Sequence, residues 1–121
     1  MTKHSEHLDQ IFHALSAPTR RAIVMRLSKG PASVSELAKP FEMAMPTFLQ
    51  HLRVLEGSGL VSTQKKGRVR TCEMRTEALT ATEAWLAEQR TVWEARLDRM
   101  EAYAIDLQAK DEKHGKRKRS K

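Results

Sequence analysis

Met45-Pro46-Thr47-Phe48-Leu49-Gln50-His51-Leu52-Arg53-Val54-Leu55-Glu56-Gly57-Ser58-Gly59-Leu60-Val61 is the stretch whose reading decides the fold. Pro46 suits a first helical turn, where its missing N–H would have no partner, and Phe48, Leu52 and Leu55 fall at i, i+4 and i+7. These positions make one apolar stripe, so the segment reads as an amphipathic helix. Gly57 and Gly59 end it, because glycine takes left-handed capping conformations without a Cβ clash. With the stripe turned inward, Pro46, Gln50 and Arg53 lie on the opposite side, flanked by Thr47 and Val54.

Just upstream, Ser33-Val34-Ser35-Glu36 is a capping box, in which the serine accepts from a backbone N–H while the glutamate reaches back to the serine's own amide. It opens a short helix over residues 34–39, which Pro40 ends. Two short helices joined by a tight connection predict a helix-turn-helix. Further back, Leu8, Ile11, Phe12 and Leu15 form the apolar stripe of a first helix. Ser16-Ala17-Pro18 interrupts it, with Ser16 able to cap a second helix over residues 18–28 that buries Ile23 and Leu27 before Gly30-Pro31 stops it.

Downstream the period changes. Residues 60–65 and 68–74 are Val- and Thr-containing extended segments joined at Lys66-Gly67, a two-stranded hairpin. Lys65, Lys66, Arg68 and Arg70 stand on it with no acid among them. A last helix, capped by Thr80 or Thr82, is expected over residues 81–107, where Leu86, Trp93, Leu97, Met100, Ala104 and Leu107 keep a heptad spacing. So long a seam calls for a partner, and a second copy of the chain is the simplest one. The fold expected is mainly α, about five helices plus a two-stranded wing: a winged helix-turn-helix domain over residues 5–107. Residues 108–121 are expected to be a structureless basic tail, its last twelve positions holding no apolar side chain.

Composition agrees with one domain. The 121 residues are 40% hydrophobic and 31% charged, and no apolar run approaches the ~18 residues of a membrane span. The polar opening has no signal-peptide core, and the lone Cys72 cannot form an internal disulfide, so a reducing cytosol is the expected compartment. The net charge of +7 is unevenly placed: +5 lies in residues 110–121, leaving the body at +2. The hairpin cluster therefore says more about a polyanionic partner than the overall charge does.

A helix-turn-helix offers its second helix to the major groove of double-stranded DNA. Gln50 suits bidentate pairing with adenine and Thr47 offers its methyl to thymine; His51, at the edge of the buried stripe, either packs there or joins them as a base contact. Arg53, Lys65, Lys66, Arg68 and Arg70, with Ser33, are the expected phosphate contacts. Leu8, Ile11, Phe12, Leu86, Trp93, Leu97, Met100 and Ala104 are the expected homodimer interface.

Other chemistries find less support. His4, His7 and His13, with Glu6 and Asp9 between them, could enter a four-ligand shell completed by a second copy, but polar termini commonly carry such residues without function, and neither metal nor cofactor is expected. Cys72 reads as a small buried hydrophobe or, with Arg70 nearby, as a redox thiol. Gly57-Ser58-Gly59 follows a helix and lacks the third glycine of a dinucleotide loop. No nucleophile is paired by spacing with a base, so no enzyme is expected. The alternative is a protein-interaction module docking through the last helix, against which four hairpin cations argue.

Over residues 11–74 the sequence resembles the ArsR/SmtB family of bacterial winged-helix repressors. Ala17-Pro18-Thr19-Arg20 with Ile23 and Leu27 resembles the family's opening signature, residues 45–61 its recognition helix and turn, and Gly67-Arg68-Val69-Arg70-Thr71-Cys72 its wing. The resemblance implies a homodimer built by the first and last helices, an imperfect palindrome as target, and repression usually released by an effector, for which the sequence identifies no small molecule. Two departures stand out. Ala44 and Leu49 occupy positions where many members have serine. The family's metal sensors carry cysteines on the third helix or histidine and aspartate ligands on the fifth, whereas residues 33–39 contain neither Cys nor His and residues 81–107 contain no His.

Overall fold

The computed structural model describes residues 3–119, with side chains for residues 6–115, and divides into two compact units, Met1–Glu83 and Ala84–Lys121. In chain order the elements are α1 (Lys3–Ala14), α2 (Pro18–Leu27), β1 (Ala32–Ser33), α3 (Val34–Ala38), α4 (Met45–Gly57), β2 (Val61–Lys66), β3 (Val69–Met74) and α5 (Glu77–Arg119). No helix among the described residues is long and apolar enough to cross a membrane.

The core of the first unit is the set of stripes read from sequence. Ile23 and Leu27 of α2, Leu37 of α3, and Phe48, Leu52 and Leu55 of α4 are buried together with Leu60 and Cys72. Each large side chain so enclosed contributes about 1.5–3 kcal/mol. Phe41 adds a tilted ring against Phe48, centroids 5.7 Å apart, and pins the α3–α4 connection to the core. Ile11 corrects an expectation: it is wholly buried in this same core and has no surface left to offer a partner. Leu8 is half-buried and Phe12 is 42% exposed.

The sheet has three strands rather than two, in the order β1-β3-β2, all antiparallel. β1 pairs only Ala32 with Cys72 and Ser33 with Thr71, and two residues are too few to leave an alternating pattern. In the hairpin Lys66 pairs with Val69, so the loop is Gly67-Arg68, one residue beyond the expected turn. Gly67 has φ +64 at the first loop position and Arg68 is not in the positive-φ region, the pattern of a type II′ turn.

Helix ends differ from expectation in instructive ways. Ala17, not Ser16, is the N-cap of α2, with Pro18 starting the helix; the Ser16 hydroxyl instead donates to the His13 carbonyl at 2.6 Å. Ser33 does cap α3, its Oγ accepting from the Glu36 amide at 3.1 Å. The Glu36 carboxylate answers by accepting from the Ser33 hydroxyl rather than its amide, at 3.1 Å, since Ser33 also belongs to β1. α4 runs through Gly57, and the left-handed residue is Gly59 at φ +84. A Cβ there would meet His7 and Ala78 at ordinary van der Waals distances, so backbone conformation and not space requires glycine. Buried Ser58 fixes this turn by donating to the Leu55 carbonyl at 2.7 Å and accepting from the Leu60 amide at 3.3 Å.

α5 starts four residues before the expected position, with Thr80 and Thr82 inside it rather than capping it; Thr82 Oγ1 donates to the Ala78 carbonyl at 3.4 Å. It continues to Arg119, through a stretch expected to lack structure. Lys, Arg, Glu, Gln and Ala are all good helix formers, and a helix satisfies its own backbone without a core. An Asp106–Lys110 pair at 3.2 Å adds i,i+4 support. Residues 120 and 121 of the expected tail lie outside the described residues.

Candidate nucleic-acid interface

Because Phe48, Leu52 and Leu55 anchor α4 inward, Pro46, Thr47, Gln50 and Arg53 are all exposed on its far side, as the helical period requires. The two flanks of α4 are tied down. On one, Arg20 of α2, only 8% exposed, brings its guanidinium Nη1 to 3.1 Å from His51 Nδ1. The same guanidinium donates to the carbonyls of Ala14 at 2.8 Å and His13 at 2.9 Å, the C-terminal end of α1, and to Ser16 Oγ at 3.3 Å. A cation at a helix C-terminus is electrostatically favoured, and the planar fork of arginine serves three elements at once.

On the other flank, Glu56 accepts from the Thr63 hydroxyl of β2 and lies 3.8 Å from Arg70 Nη2 of β3. One carboxylate thus fastens the hairpin to α4. Lys65, Lys66 and Arg68 are exposed on that hairpin, and Lys65 pairs in register with Arg70, which puts both on one face. Neither the Arg20 nor the Glu56 tie was anticipated. Each links residues distant in sequence, which leave no local pattern.

Three expected site residues need restating. His51 is half-buried with Nδ1 engaged by Arg20, so it is drawn towards α2 and only its other edge is open to a base. The Ser33 hydroxyl is engaged with Glu36 in the cap of α3, donating to its carboxylate and accepting from its amide. Arg70 is partly neutralised by Glu56. Thr47, Gln50, Arg53, Lys65, Lys66 and Arg68 are exposed.

Cys72 lies at 0% exposure in the centre of β3. Burial pushes its thiol above the ordinary value, Glu56 pushes it further, and Arg70 opposes both. A neutral enclosed thiol is a packing group, not a poised nucleophile. The side chain of His4 lies outside the described residues, and among those described no group of three or more His, Cys, Asp or Glu side chains is placed to hold a metal. A cavity of about 370 Å³ opens between the starts of α3 and α4 and the hairpin, lined in part by Ser35, Met45, Leu49, Arg68 and Val69.

A short helix, a tight connection, a second helix with an exposed polar face and a cationic hairpin fastened beside it define a winged helix-turn-helix protein. Comparison with known proteins narrows the class. Residues 15–64 match the family described as a helix-turn-helix domain. The chain is 40% identical over 73 residues to the HTH-type transcriptional regulator Rv2034 of Mycobacterium tuberculosis, covering 60% of this chain and 68% of that one. It is 28% identical over 79 residues to the transcriptional repressor SdpR of Bacillus subtilis, covering 65% of this chain and 88% of SdpR. Among solved structures, the ArsR family transcriptional regulator RHA00566 shares 58% identity with a TM-score of 0.73, over 78% of this chain and 97% of that one. The chain belongs to the ArsR family of transcriptional regulators.

Proposed function

We propose that this chain is a sequence-specific repressor of transcription that binds an imperfect palindrome in duplex DNA as a homodimer, in a bacterial cytoplasm. The observation that carries the reading is the exposed face of α4, Thr47, Gln50 and Arg53, held beside a hairpin whose Lys65, Lys66 and Arg68 are also exposed. Gln50 and Thr47 read base edges, while Arg53 and the hairpin cations grip phosphates on either side. Arg70 contributes after release from Glu56, and His51 presents one ring edge. The name of SdpR, a transcriptional repressor, supports repression over activation.

Two copies meet through Leu8 and Phe12 of α1 and the α5 residues Leu86, Trp93, Leu97, Met100 and Ala104. The α5 residues are all exposed, and four of them are large apolar side chains that water solvates poorly. The test is immunoprecipitation of the chain with its bound genomic DNA, followed by titration of the recovered duplexes with purified protein. Dyad-symmetric sites bound at about 10⁻⁸ M or tighter, and at least ~10³-fold better than scrambled duplex, are expected. Equal affinity for scrambled duplex overturns the reading, and so does a monomer on the recovered site.

A further inference from the structure

The flank of α4 that faces the hairpin is apolar at the end nearest the helix start. Met45 and Leu49, one turn apart, line the 370 Å³ cavity together with Val69, and Met45 and Val69 are 45% and 53% exposed. The same cavity is lined by Ser33, Val34 and Ser35 at the start of α3 and by Arg68 and Arg70 of the hairpin. An open cleft that brings apolar side chains of a recognition helix together with the cations of a wing has the two chemistries of one thymidine nucleotide, a methyl group and a phosphate. The charge complements the DNA backbone, and the volume exceeds what a methyl group alone fills.

We propose that this cleft seats a thymine in each half-site, its 5-methyl group against Met45 and Leu49 and its backbone phosphate against Arg68. This rests on the DNA-binding function proposed above and adds a specificity determinant to it, distinct from Gln50 and Thr47, which lie further round the helix. Thymine alone among the four bases carries a methyl in the major groove, so an apolar wall discriminates by that group. Leu49 supplies no hydrogen bond, and the readout there is by exclusion of water.

The experiment takes the tightest duplex selected by the full-length chain from a randomised pool and replaces each thymine, one at a time, by deoxyuridine, which keeps the base pair and removes one methyl. One thymine per half-site is expected to show about fourfold weaker binding on replacement, the value of one buried methyl. Leu49→Ser is expected to bind thymine and uracil duplexes equally at that position, with discrimination elsewhere unchanged. Leu49 also packs against the core, so Met45→Ser, at an exposed position, provides a second variant and is expected to halve the effect or more. No sensitive thymine, or a sensitivity lost in Thr47→Ser but kept in both Leu49→Ser and Met45→Ser, overturns the proposal while DNA reading stands. A pool that yields no preferred duplex overturns DNA reading itself.

Discussion

Arg20 Nη1 and His51 Nδ1 lie 3.1 Å apart, a contact that ties the second helix to the helix read as the DNA-contacting one. Arginine has no acceptor, so a hydrogen bond between the two requires Nδ1 of His51 to hold the lone pair and Nε2 to carry the proton. Arg20→Ala leaves the last carbonyls of α1 without their buried donor and cuts α4 loose from α2. A loss of about 2–4 kcal/mol in urea unfolding is expected, and Arg20→Lys, which keeps the charge but not the fork, is expected to lose roughly half as much. Nitrogen NMR is expected to show His51 in the Nε2–H form in the native protein and a tautomer mixture in Arg20→Ala. A mixture in the native protein removes this contact from the account.

Glu56 makes a separable prediction, because it holds Thr63 by accepting a hydrogen bond and Arg70 by charge. Glu56→Gln keeps an acceptor oxygen for Thr63 and releases Arg70. Stability is expected to change by less than about 1 kcal/mol, since the ion pair is partly exposed. DNA binding is expected to tighten and its salt dependence to steepen by up to about one unit per subunit, as a further phosphate contact becomes available. An unchanged salt slope means that Arg70 makes no phosphate contact even when free.

What sequence could and could not reveal follows from the range of the forces involved. Phe48, Leu52 and Leu55, or Ile23 and Leu27, declare themselves because burial of one helix face imposes a local period. The exposure of Gln50 and Arg53 follows from the same period with opposite sign. β1 escaped notice because its two residues are defined only by their partner β3, forty residues away. The buried role of Arg20 is hidden for a related reason: a charged residue in a helix reads as solvent-facing until the carbonyls that accept its hydrogen bonds are known. Ile11 shows the limit of a stripe, which identifies an apolar face without dividing core from interface.

Gln50 and Arg68 separate sequence reading from charge. Gln50→Ala is expected to relax preference at one base pair per half-site, costing about 1–3 kcal/mol there and little on nonspecific duplex. Arg68→Ala is expected to weaken every duplex alike and flatten the salt slope by roughly one unit per subunit. Competition titrations at several salt concentrations distinguish the two. The reverse pattern, with Arg68→Ala altering preference, exchanges their roles.

Cys72 links stability to alkaline pH. Its thiol is held above the ordinary value, chiefly by burial, so above about pH 8.5 the unfolded chain has lost a proton that the native chain keeps. The stabilisation is complete below that pH and is lost as pH rises towards the native value. Wild type is therefore expected to lose stability more steeply than Cys72→Ala above about pH 8.5, although the variant starts lower for lack of packing. Iodoacetamide is expected to react with native protein only at the rate of unfolding. Rapid alkylation at neutral pH means an accessible thiolate and contradicts the enclosed position of the side chain.

Leu97 tests the proposed dimer. It sits in the middle of the heptad series on α5, 56% exposed, four residues after Trp93, whose ring carries the Arg96 guanidinium at 5.3 Å. In a seam of two α5 helices Leu97 of each copy lies within the interface, so Leu97→Glu brings a carboxylate from each copy into an apolar contact. Burying an unpaired charge is costly enough to weaken association by about 100-fold, ~2.7 kcal/mol. An exposed position gives the variant no reason to unfold the first unit, so circular dichroism of its helices and the Cys72 protection are expected to persist. Analytical ultracentrifugation is expected to show a dimer for wild type and a monomer for Leu97→Glu at the same micromolar concentration, with loss of operator binding but not of weak nonspecific binding. A variant that stays dimeric moves the interface off this face of α5.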